Sequence, residues 1–196
     1  NTLGVITVSG GAGVLISDEA ERVGLAMPEM PMDTQKHLRE LVPFCAPRNP
    51  VDATAQVSND VTLVKTFTEA MVRDGGYQTV MGFFSMTASS RRWPVISEQL
   101  NIVRDAYPDR LYALSIIAPA EVRDAAEKAG WVVHEDPTRA VTAIEAMGRF
   151  GAAFAAPASA PAPKVPPVTL PAATPTEAEA KRLLAAAGIA SAPEAE

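Results

Sequence analysis

The chain has 196 residues, yet it contains one cysteine, two histidines and only 6% aromatic residues. A single cysteine excludes an internal disulfide framework and fits a reducing, cytoplasmic setting. Cys45 sits in Pro43-Phe44-Cys45-Ala46-Pro47 with no Cys or His at ligand spacing. It reads as a small packed residue and not as a zinc ligand or nucleophile. No apolar run approaches the ~20 residues that span a bilayer, and no basic-then-apolar signal opens the chain. Basic residues are scarce, 17 against 23 acidic ones, for a net charge of −6. That balance disfavours a surface for nucleic-acid phosphates. The basic pair Arg91-Arg92 before Trp93 reads as a solvated helix start. There is also no initial methionine: Asn1 leads directly into an apolar strand, as expected of a piece of something longer.

What is present begins with Leu3-Gly4-Val5-Ile6-Thr7-Val8, an apolar strand, followed by Ser9-Gly10-Gly11-Ala12-Gly13 and then Val14-Leu15-Ile16. A strand feeding a glycine-rich turn and a helix presents unpaired backbone N–H groups and the positive end of the helix dipole. Ser9, Gly10, Gly11, Ala12 and Gly13 thus form a candidate seat for a phosphate or carboxylate. A tight strand-to-helix turn with no ligand explains the glycines equally well. The pattern is not the dinucleotide fingerprint G-x-G-x-x-G, because Ile16 stands where the third glycine belongs. It is not a P-loop, since no G-K-[ST] follows.

Strands and helices alternate along the rest. The spacing predicts strands over Leu3–Val8, Thr79–Ser85, Leu111–Ile117 and Trp131–His134. It predicts a helix with Ala12, Leu15, Ile16, Ala20 and Val23 inward, stopped at Gly24. Asp33 is expected to cap a short helix with Leu38, Leu41 and Val42 on one face. Ser58 or Asn59 is expected to cap a helix with Val61, Val64, Phe67, Met71 and Val72 facing inward. Further helices carry Ile96, Leu100 and Val103, then Val122, Ala125, Ala126 and Ala129 after Pro119. Asp136-Pro137 starts a last one with Ala140, Val141, Ile144 and Met147 inward. The prolines of Pro47–Pro50 exclude regular helix there.

The expected fold is therefore α/β, a doubly wound, mainly parallel sheet with helices on both faces. Ligands bind such sheets beyond the carboxyl ends of the strands. The loops there are Ser9–Gly13, the polar segment from Ser85 through Met86 and Thr87 to Ser90, and the turn after Ile117. From about Ala155 the composition shifts: eight of the 17 prolines lie from Pro157 onward, among alanines. The expected organisation is a domain over 1–154, a Pro/Ala-rich linker over 155–175 and a further segment over 176–196. In that segment Thr176-Glu177-Ala178-Glu179 matches a capping box, with Gly188 ending the helix.

Four segments in order resemble the NDP-forming acyl-CoA synthetases related to succinyl-CoA synthetase. They are Val5–Leu15, Pro47-Arg48-Asn49-Pro50-Val51-Asp52-Ala53-Thr54, Glu135–Val141, and Thr176–Leu184 with Gly188-Ile189. The resemblance implies that 1–154 is a flavodoxin-like CoA-ligase domain and that 176–196 opens an ATP-grasp domain. It implies a reaction interconverting acyl-CoA, ADP and phosphate with acid, CoA and ATP through a phosphohistidine. CoA, ATP/ADP and Mg2+ would serve the full-length enzyme, none held tightly by this chain. The partners implied are the CoA-binding, phosphohistidine and ATP-grasp domains, a small-molecule acid and phosphate, with a homo-oligomer also open.

By the same resemblance, Ser9–Gly13 is one of two helix N-termini that hold the phosphate, and Asn49, Pro50 and Asp52 belong to a loop near that rim. Asp52 itself reads as a turn residue bonding its own backbone. The phosphohistidine is expected upstream of Asn1, because His37 and His134 lie in no matching motif. This chain alone is then expected to be inactive. Two other readings stand beside it. One is a regulatory synthetase-like module of a protein acetyltransferase. The other is a flavodoxin-like FMN-binding domain, against which the low aromatic content and the structural placements of Trp93 and Trp131 count.

Overall fold

Among the described residues, five strands form one parallel sheet in the order β2-β1-β3-β4-β5. They are β1 (Leu3–Thr7), β2 (Val51–Asp52), β3 (Thr79–Ser85), β4 (Leu111–Ile116) and β5 (Val132–His134). The computed structural model describes residues 1–54, 57, 60–156 and 169–190. Every residue of β1 is buried, which is the condition for a strand covered on both faces and explains its unbroken apolar run. Side chains alternate between two cores, as a period of two requires. Ile6, Val80, Phe84, Tyr112, Leu114 and Ile116 enter one core, while Leu3, Val5, Met81 and Ala113 enter the other.

Among the described residues, seven α-helices cover the sheet or follow it in sequence: α1 (Gly10–Val23), α2 (Met32–Leu41), α3 (Thr62–Arg73), α4 (Trp93–Ala106), α5 (Ala120–Lys128), α6 (Pro137–Ala155) and α7 (Glu177–Ala186). Helices α1 and α6 pack together against Leu3, Val5 and Met81. Helices α2, α3 and α4 close the opposite face through Leu38, Val64, Phe67, Ile96 and Leu100. The strand order 2-1-3-4-5 is that of flavodoxin-like doubly wound sheets, whose crevice opens between β1 and β3. The α/β expectation is met, and the sheet is wholly parallel.

Several local expectations shift. Pro31, not Asp33, occupies the N-cap of α2, and Asp33 lies in its first turn. Leu15 is 55% exposed, because the buried stripe of α1 runs through Ala12, Ile16 and Ala20, and Leu15 lies about 100° round the helix from Ile16. Leu41 and Met147 are likewise exposed. Residues 58 and 59 lie outside the described residues. Val61 stands at the N-cap of α3, and the Asp60 carboxylate accepts from the Thr62 amide at 3.0 Å. Asp136 caps α6 as expected, accepting from Thr138 N at 2.7 Å and Arg139 N at 3.2 Å.

Contacts divide the chain into two units, Asn1–Ala155 and Ala156–Glu196. In the second, Thr176 and Glu179 close the capping box reciprocally at the start of α7. Among the described residues, no helix is long and apolar enough to cross a membrane.

Candidate functional site

The site is built at the carboxyl end of β1. Thr7, fully buried, turns the chain there: its Oγ1 accepts from Ser9 N at 2.9 Å and donates to Ser9 O at 3.0 Å. Ser9 keeps extended geometry (φ −145°, ψ 115°) and caps α1 without a side-chain bond. Its carbonyl accepts from Gly13 N at 3.1 Å. Two of the five amides in the glycine segment, those of Ser9 and Gly13, are therefore used internally. Among the described residues no group accepts from the amides of Gly10, Gly11 and Ala12. Gly10 and Gly11 are exposed, and a Cβ on Gly11 would meet nothing within 4 Å. The hydrogen-bond donors at the head of the α1 dipole thus remain open.

A cleft of about 290 Å³ adjoins them, lined by Thr7, Gly10, Gly13, Val14, Ser17, Ala46, Pro50 and Asp52. The loop before β2 forms its far wall. A Cβ on Gly13 would lie 3.3 Å from Pro50 Cβ, so a glycine lets that wall approach the helix. The Asn49–Pro50 peptide bond is cis. Asn49 itself points away from the cleft. Its Oδ1 accepts from Val5 N at 3.0 Å, and its Nδ2 donates to Leu3 O and Pro28 O, each at 2.9 Å. The amide side chain stands in for a ladder partner that the two-residue β2 does not supply to β1. Asp52 makes the expected turn, with Oδ1 accepting from Thr54 N at 2.9 Å. Its Oδ2 lies 3.2 Å from the position a Gly10 Cβ would take. A carboxylate therefore flanks the open amides.

The third rim loop follows β3. Ser85 adopts φ 44° and ψ −128°, a conformation uncommon for a non-glycine residue. Met86 and Thr87 continue in a short 3-10 turn over Met86–Ser89. This loop is tied to the end of β4: Ile117 N donates to Ser85 O at 3.0 Å, and Ser89 Oγ to Ile117 O at 2.8 Å. Around the rim, Val14, Leu15, Met86 and Ile117 are exposed apolar side chains.

The remaining chemistry-bearing residues lie elsewhere. Cys45 is buried, and burial raises its thiol pKa, as for a structural cysteine. His37 is an exposed residue of α2, and His134 ends β5. Trp93 packs edge-on against Phe84 and Trp131 against Tyr112, so both serve the core. No cluster of three His, Cys, Asp or Glu able to hold a metal ion exists among the described residues. The sequence reading missed Thr7 and Ser17. A hydroxyl at the last residue of a strand, two before the N-cap, was the available signal for Thr7.

Comparison with known proteins adds the following. The family model described as the Ligase-CoA domain matches residues 3–128. No curated protein matches. Among solved structures, that of PH0766 from Pyrococcus horikoshii OT3 is similar, with a TM-score of 0.64 and 22% identity over 75% of this chain and 35% of that one. Dinucleotide-forming acetyl-coenzyme A synthetase 1 of Candidatus Korarchaeum cryptofilum, in its apo form, gives 0.65 and 20% identity over 79% of this chain and 34% of that one. The same protein in complex with phosphate and ADP gives 0.62 at the same identity and coverage. At these identities the likeness is one of fold. The chain spans about a third of the length of the structures it matches.

Proposed function

This chain belongs to the Ligase-CoA domain family, and we propose that it serves as one domain of an NDP-forming acyl-CoA synthetase. In that reading the enzyme interconverts acyl-CoA, ADP and phosphate with acid, CoA and ATP. The single observation that carries it is the set of amides of Gly10, Gly11 and Ala12 at the head of α1 that donate to no described group, with Gly10 and Gly11 exposed at the carboxyl edge of the sheet. Such a terminus holds a phosphoryl group through oriented dipoles without a fixed countercharge, which suits a group that is held and then released. Ser9–Gly13 would supply one side of a cradle for a phosphohistidine carried on another domain. The exposed Val14, Leu15, Met86 and Ile117 would be covered by that domain. Unit 156–196, with its capped helix α7, would open an ATP-grasp domain. CoA, nucleotide and Mg2+ belong in this reading to those other domains.

The flanking Asp52 gives the seat its character. A carboxylate beside the open amides opposes a second negative charge, so the phosphate would be bound weakly by this half-site and completed by its partner. Two experiments test the reading. Titrating the 196-residue chain with inorganic phosphate should move the amide resonances of Gly10, Gly11 and Ala12 in the millimolar range. Complete insensitivity of all three rejects the seat. A coupled assay of the full-length protein across several acids should show CoA-dependent ADP release and an acid-labile phosphoenzyme. Absence of both rejects the synthetase.

A further inference from the structure

A second concavity lies on the opposite face of the sheet, between α4 and α5, and shares no lining residue with the cleft at α1. Its volume is about 320 Å³, at the low end of the ~300–1,000 Å³ range of small-molecule sites. It exists because α5 contributes no buried residue and offers Ala125, Ala126 and Ala129 where larger side chains would fill the space. Leu114 of β4 also lines it, and Trp93 and Trp131 form part of its wall.

The walls are preset. Trp93 is held edge-on by Phe84 at 5.9 Å, and Trp131 by Tyr112 at 5.4 Å. Trp131 Nε1 also donates to Asn101 Oδ1 at 2.8 Å. Asn101 Nδ2 is an open side-chain donor of the lining, and the Arg104 guanidinium, which bonds Asn101 Oδ1 and Ala129 O at the wall, has its charge paired with Asp105. Ser97 and Glu121 offer acceptors. Ser97 Oγ spends its hydrogen on Pro94 O at 3.0 Å, which leaves only lone pairs to offer. Glu121 lines the crevice and forms no hydrogen bond or ion pair with any described residue. Asn101 Oδ1 is already taken by Trp131 and by Arg104 Nη1 at 2.9 Å. An apolar crevice with two indole walls, a lone-pair oxygen and an unpaired carboxylate complements a hydrogen-bond donor that is cationic.

We propose that the α4–α5 crevice binds a small organic monocation, an alkyl- or aralkylammonium whose apolar body lies between α4 and α5 and whose ammonium faces Glu121. The site is independent of the phosphate seat, so either can fail without the other. Trp93 and Trp131 are the chain's two tryptophans, and intrinsic fluorescence therefore reports on this crevice. Phenethylammonium should change that fluorescence saturably in the millimolar range, 2-phenylethanol should bind more weakly, and 3-phenylpropionate most weakly. E121Q should weaken the ammonium about two- to fivefold, the size of an exposed ion pair, and leave the alcohol unchanged. Ala125→Phe, at an exposed position, should abolish binding of all three. The proposal is overturned if phenethylammonium gives no saturable change, if the carboxylate binds as tightly, if E121Q leaves the ammonium unaffected, or if Ala125→Phe still binds.

Discussion

Asn49 and Tyr77 converge on one carbonyl: Pro28 O accepts from Asn49 Nδ2 at 2.9 Å and from Tyr77 OH at 2.6 Å. Through these bonds a loop residue far along the chain fixes β1 and the Pro50 wall together. Asn49→Ala removes three hydrogen bonds, and at ~0.5–1.5 kcal/mol for each it should cost about 2–4 kcal/mol, read from urea unfolding. Asn49→Asp should do no better, since a carboxylate cannot donate to Leu3 O and Pro28 O. Close packing fixes a second residue. A Cβ on Gly4 would lie 2.3 Å from Cδ2 of the buried Tyr77, so Gly4→Ala should destabilise by ~1–3 kcal/mol, in the range of overpacked cores. A mutant as stable as the parent would contradict the packing described. The sequence marked Asn49 as part of a rim motif but not its inward direction, because its bonds reach across 44 and 46 residues and leave no local pattern. Asp52 was legible, since its bond to Thr54 N closes within two residues.

Helix ends were the most legible elements where a side chain caps its own backbone. Asp136 and Thr176 both act as their spacing implies. Thr176→Ala should remove the Oγ1 half of the capping box, leaving the residue-176 amide bonded to the Glu179 carboxylate, and lower the helicity of α7, at a cost of about 1 kcal/mol. Circular dichroism of the 169–190 peptide checks this, although so short a helix is marginal alone. Strands β1, β3 and β4 were legible because burial on both faces demands continuous apolar runs. Strand β2 was not, since its two residues pair with Ile6 and Thr7 and carry no pattern of their own. The free donors of α1 were legible as a strand–glycine–helix order. Which of them stay free was not, because Thr7 Oγ1 and the Ser9 carbonyl claim two of the five amides.

Across the whole molecule, pH acts through groups that burial or pairing sets apart. Desolvation raises the phenols of Tyr77 and Tyr112 from 10.0 to about 12, and both lie in the same core cluster. Between these values the unfolded chain has released protons that the folded chain still holds, so stability falls as pH rises. It should be complete below pH 10 and decline towards pH 12. Urea midpoints measured through that window check the slope, and Tyr112→Phe should flatten it. A midpoint independent of pH there would contradict the desolvation. On the acid side, Arg22, Thr142 and their hydrogen bonds hold Glu19 down to about 2 from 4.5. This ties α1 to α6 through Thr142 Oγ1 at 2.7 Å, and the bond's contribution is present above pH 4.5 and lost as pH falls towards 2.

The sheet order also governs how the protein is made. Leu3 is in register with Thr79, so β1 leaves the ribosome long before the strand that will flank it. At ~5–20 residues per second the wait is on the order of ten seconds. Throughout that interval β1 can pair only with the two-residue β2, and its other edge waits unpaired until β3 has been translated.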